Sequence, residues 1–128
     1  MKSAFGAGKG SGLPAVSRDR IEQHLKVLEG VRHPVAAPAA LQRACGYLED
    51  TLRALGYAMD LHGFADDGEQ YHNVVATRLG ARRPDQRVLV LAHYDTVAGS
   101  PGADDNASGV ALLLELATIF SQWRPEVT

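Results

Sequence analysis

The chain has 128 residues, 45% of them hydrophobic and 22% charged, with a formal net charge of −2. That is one small soluble domain with enough chain to bury a core, and it has no basic excess of the kind nucleic acid requires. The lone cysteine, Cys45, excludes an internal disulfide, and no apolar run is long enough to span a membrane.

Residues 1–16, rich in Gly, Ser and Ala, read as a flexible tail. They contain no apolar core of a signal peptide, so a cytoplasmic location is the default expectation. The stretch GAGKGSG has the wrong spacing for a phosphate loop and no strand before it. A first helix is expected from near Asp19, where Asp19 and Glu22 have capping-box spacing and Ile21, Leu25 and Leu28 share a face. Gly30 and Pro34 end it. A second helix runs from about Pro38 to Leu55, with Leu41, Cys45, Leu48, Leu52 and Leu55 forming one stripe and Gly56 stopping it. On that stripe Cys45 reads as a buried core thiol.

The period then falls to two. Tyr57, Met59 and Leu61 alternate with polar positions, Asp66-Asp67-Gly68 makes a turn, and a second strand runs roughly from Tyr71 to Arg78. After a surface loop with Arg82 and Arg83, the run Arg87–Ala92 reads as a strand buried on both faces. A Gly-, Pro- and Asp-rich loop leads to a closing helix from about Ala107 to Gln122, with Val110, Leu113, Leu114, Ala117 and Phe120 inward. The fold class is α/β: two helices, a β-hairpin, a buried central strand and a helix, part of a three-layer α/β/α fold, over residues 17–128. In such sheets ligands collect at the carboxyl ends of the strands.

The chemistry gathers at that end. His93 falls where the central strand stops, Asp95 lies two positions on, and Asp105 stands just before the last helix. Zinc takes imidazole and carboxylate ligands on rigid supports, and its histidines need the second ring nitrogen held by an oxygen. His93 and Asp105 fit the first role and Asp95 the second. Taken alone, a His-x-Asp pair is common, and an Asp-Asp-Asn run before a helix is often only a cap. His24, His33, His62 and His72 read as surface or structural groups, and Glu115 and Glu126 as surface or cap residues.

The segment HYDTVAGSPGADDNASGVALLLELA resembles the metal-site segment of the aminopeptidase Y-like family of co-catalytic di-zinc exopeptidases. That family includes secreted bacterial leucyl aminopeptidases, and glutaminyl cyclases are its relatives. HLKVLEGVRHP, LRALGY and NVVATRLG fit the same pattern. The resemblance implies that His93 is a zinc ligand, that Asp105 bridges two zincs and that Asp95 holds the histidine from behind. Asp104 and Asn106 match no ligand, and Ser108 and Gly109 mark the start of the helix. It further implies a peptide as substrate, hydrolysed by zinc-activated water, and a non-proline cis peptide after Asp105. The acylase and carboxypeptidase branch would carry a motif like DMKGG, which is absent, and cyclases usually lack the DDNASG form.

The resemblance also implies a Glu-Glu pair and later Asp and His ligands, and the chain has no Glu-Glu pair. The expectation is therefore the N-terminal part of a peptidase, inactive by itself. A non-catalytic α/β module and a defective truncated product are the alternatives. An unpaired edge on the apolar strand would favour self-association. No nucleic-acid or membrane partner is expected.

Overall fold

The computed structural model describes residues 14–128; most of the Gly-rich tail read from the sequence lies outside the described residues. The elements in order are α1 (Arg18–Leu28), α2 (Pro38–Ala54), β1 (Ala58–Asp66), β2 (Glu69–Thr77), a short turn (Ala103–Ala107) and α3 (Ser108–Ser121).

Helix α1 starts one residue before Asp19. Its cap is Ser17, whose hydroxyl accepts the Arg20 N–H, rather than the Asp19–Glu22 box. Pro38 opens α2, where a missing N–H costs nothing. Of its stripe, Leu48 and Leu52 are buried and Cys45 is only half-buried, so the thiol sits at the edge of the core rather than inside it. The hairpin β1–β2 pairs antiparallel from Ala58↔Thr77 to Asp66↔Glu69. Asp67 and Gly68 both have positive φ, the two-residue turn whose twist matches the strands it joins.

The core joins Leu28 of α1, Ala44, Leu48 and Leu52 of α2, and Val110, Leu114 and Ala117 of α3. Met59, Val74 and Ala76 of the hairpin cover it from one side. Helix α3 keeps the inward face read from its sequence, with Leu113 and Phe120 half-buried at its margins.

Residues 87–92 correct the sequence reading. They form no strand, and Val88, Leu89, Val90 and Leu91 are 51% to 81% exposed. A strand exists only through bonds to a neighbour, and the sheet of the described residues is the two-stranded hairpin alone. Val88 N–H donates instead to the Thr128 carbonyl at 2.7 Å, and Thr128 N–H to the Gln86 carbonyl at 2.8 Å. Residues 80–88 thus lie against the last four residues, with Arg82 and Arg83 paired to Glu126.

Glu115 is a second correction. It is not a surface group but 2% exposed, on the inner face of α3. Arg20 grips it through two bonds, Nε to Oε2 at 2.7 Å and Nη2 to Oε1 at 2.8 Å, and the Ser17 N–H adds a third at 2.6 Å. The Arg20 hydrogen bond holds its carboxyl below the usual glutamate value, against the opposing effect of burial. A depressed folded-state pKa contributes stability above the unfolded pKa, and that contribution is lost as pH falls through the folded value. Urea unfolding of wild type and Glu115→Gln should therefore show a stability gap at pH 7 that narrows well below pH 4.5. A gap independent of pH would refute the pair's contribution.

Candidate metal centre

The exposed segment delivers His93 to the start of the loop, and the turn before α3 delivers Asp105. Their side chains meet: His93 Nε2 lies 2.9 Å from Asp105 Oδ1, and His93 Nδ1 lies 3.2 Å from Asp95 Oδ1. One imidazole thus stands between two carboxylates, each on a different ring nitrogen. Burial lowers the His93 pKa, but the bonds to Asp105 and Asp95 outweigh it and raise the value net. All three groups remain at least half open to solvent.

The Asp105–Asn106 peptide is cis, as the resemblance implied. Asn106 Oδ1 accepts the Gly109 N–H at 3.1 Å, and Ser108 Oγ donates to the Asp104 carbonyl at 2.7 Å. Asn106 is therefore the functional cap of α3. A Cβ on Gly109 would strike the Asn106 side chain, so its small size serves that cap. The Asp104 side chain takes no part in the cluster's hydrogen bonds, in keeping with its match to no ligand.

Two residues escaped the sequence reading. Arg32, 3% exposed, lies beneath both loops, and Thr96, also buried, receives its N–H at 2.9 Å. None of the other histidines is hydrogen-bonded to the cluster among the described residues. His24 Nδ1 meets the Tyr47 hydroxyl at 2.6 Å, and His33 Nδ1 accepts the Val35 and Ala36 N–H groups. Beside the cluster an open cleft of about 880 Å³ runs between α2, the hairpin and residues 90–95, lined by Leu48, Val74, Tyr94 and Val110 among others.

The donor chemistry fits part of a zinc centre. A histidine with its rear nitrogen held by a carboxylate faces a second carboxylate on a separate support. It does not complete one: among the described residues no group of three or more His, Cys, Asp or Glu side chains is arranged to hold a metal ion.

The cluster thus lies where the loop enters α3. Residues 73–128 match the family model of Peptidase family M28, which bears out the resemblance read from the sequence. A probable zinc metalloprotease of Pyricularia oryzae is 48% identical over 64 residues, 44% of this chain and 13% of that protein. The YfbL protein of Escherichia coli is 32% identical over 128 aligned positions, 89% of this chain and 39% of that protein. Among solved structures, glutaminyl cyclase of Macrostomum lignano superposes with a TM-score of 0.74 at 23% identity, over 99% of this chain and 41% of that one. The last likeness establishes the α/β fold. The chain spans about two fifths or less of the length of these proteins. Among the described residues no helix is long and apolar enough to cross a membrane.

Proposed function

We propose that this chain carries the first ligands of a two-zinc peptidase centre, of the exopeptidase kind that acts at the free N-terminus of a peptide. The observation that carries the reading is His93 Nε2 facing Asp105 Oδ1 at 2.9 Å while Asp95 holds Nδ1. In this reading His93 and Asp105 hold zinc, with Asp105 shared between two ions, and Asp95 keeps Nε2 turned outward. Bound zinc would supply a polarised water and a Lewis acid for the scissile carbonyl. The matching motif holds no general base, so the chain alone is proposed to be inactive as a peptidase.

A catalytic zinc normally has three protein ligands. Calorimetry should therefore find weak zinc binding that His93→Ala and Asp105→Ala abolish. Two tightly held zincs per chain would show that further ligands exist. Zinc binding untouched by both substitutions would sink the assignment.

Self-association belongs to the same reading. Leu89–Leu91 present apolar side chains and, among the described residues, a backbone without a partner strand, a template for pairing with another chain. Light scattering should detect oligomers that grow with concentration. A monodisperse monomer with a high melting temperature would contradict this.

A further inference from the structure

We propose that Arg32 is a positioning residue for the candidate metal centre, tying the loop that carries His93 and Asp95 to the loop that carries Asp105. The purpose of that geometry rests on the zinc reading; the tie itself does not.

Arg32 is almost fully buried, yet no carboxylate is hydrogen-bonded to it. Its guanidinium reaches five backbone carbonyls instead. Nε donates to Tyr94 O at 2.8 Å, the carbonyl between His93 and Asp95. Nη1 donates to Leu28 O, to Gly30 O at 2.7 Å and to Pro101 O at 3.3 Å. Nη2 donates to Gly102 O at 3.3 Å, three residues before Asp105. The main chain adds a two-way exchange: Arg32 N–H to Thr96 Oγ1 at 2.9 Å, and Thr96 N–H to Arg32 O at 3.3 Å.

The directions matter. The contacts to Tyr94 and Thr96 fix the chain on either side of Asp95. Those to Pro101 and Gly102 fix the chain that leads into the Asp105 turn. Gly30 N–H, donating to Pro101 O at 2.8 Å, anchors the second loop to the end of α1. One planar fork with five N–H donors spans acceptors on three segments, which a lysine with one point of donation cannot do.

The test reads His93 without metal. Long-range ¹H–¹⁵N spectra of the imidazole report its tautomer and its partners. At a pH alkaline enough to leave the ring neutral, wild type should show one fixed tautomer. Arg32→Met and Arg32→Lys should both show averaged tautomers, and Thr96→Val a partial shift in the same direction. Glu115→Gln, which removes a buried charge bonded to Arg20 and Ser17 rather than to either loop, is the control for general destabilisation and should keep the wild-type pattern. If Arg32→Met does not fold, Arg32→Lys and Thr96→Val carry the test. A wild-type His93 pattern in any folded Arg32 variant overturns the proposal, as does equal averaging in Glu115→Gln. Zinc titration separates the two readings. No shift of His93 in wild type removes the metal reading and leaves the tie standing. Equal zinc affinity in wild type and Arg32→Lys removes the role of Arg32 and leaves the metal reading standing.

Discussion

Gly102→Ala should destabilise the chain by about 3 kcal/mol and disturb the His93–Asp105 contact with it. Gly102 has φ +57°, where a Cβ costs about 1–2 kcal/mol. The added methyl would also strike the Thr96 methyl, lie 2.8 Å from the Asp105 carbonyl oxygen and 3.1 Å from Arg32 Nη2. Crowding of that kind costs about 1–3 kcal/mol, and here one neighbour is backbone that cannot swing aside. Urea unfolding measures the loss. The double variant Gly102→Ala with Thr96→Ser deletes the obstructing methyl and should recover part of the steric cost while leaving the backbone cost. A loss below about 1 kcal/mol in the single variant would show that the junction is loose.

Leu114→Ala should cost about 3 kcal/mol, within the range of about 2–5 kcal/mol for emptying a core leucine site. Leu114 has no exposed surface and lies at the centre of α3, among Leu28, Leu48 and Val110 in the same cluster. At roughly 4 °C per kcal/mol for a domain of this size, the melting temperature should fall by about 12 °C. Leu112→Ala is the internal comparison. It lies two residues away on the same helix but is 56% exposed, so its change should stay within about 0.5 kcal/mol. Equal losses at the two positions would mean that the face of α3 is assigned wrongly.

What the sequence disclosed was local. The Asp67-Gly68 turn carries its own twist, and the stripes of α2 and α3 are written in steps of three and four, so these elements could be read from short windows. His93, Asp95 and Asp105 stood out because ligand-type side chains fell at element ends. Residues 87–92 misled because an apolar run says only that burial is wanted; whether a neighbour exists is decided elsewhere. Arg32 and Glu115 were missed for a related reason. Their partners lie far along the chain, at Thr96 and at Arg20, and no window contains both ends. Glu115 did leave a trace: it is the one charge inside an otherwise apolar helix, and such a charge must find a partner.

The grip of Arg20 on Glu115 closes a loop of 95 residues, and α1 packs along α3. The hairpin and α2 pack on each other from neighbouring stretches of chain, although their shared core is completed only by α3. Helix α1 touches α2 through the His24–Tyr47 bond but meets most of its packing surface only once α3 exists. Closing so long a loop is entropically expensive and its reward comes late. During synthesis at about 5–20 residues per second, α1 therefore waits for several seconds with Leu25 and Leu28 uncovered. That interval, and not the finished core, is when a chaperone has most to hold.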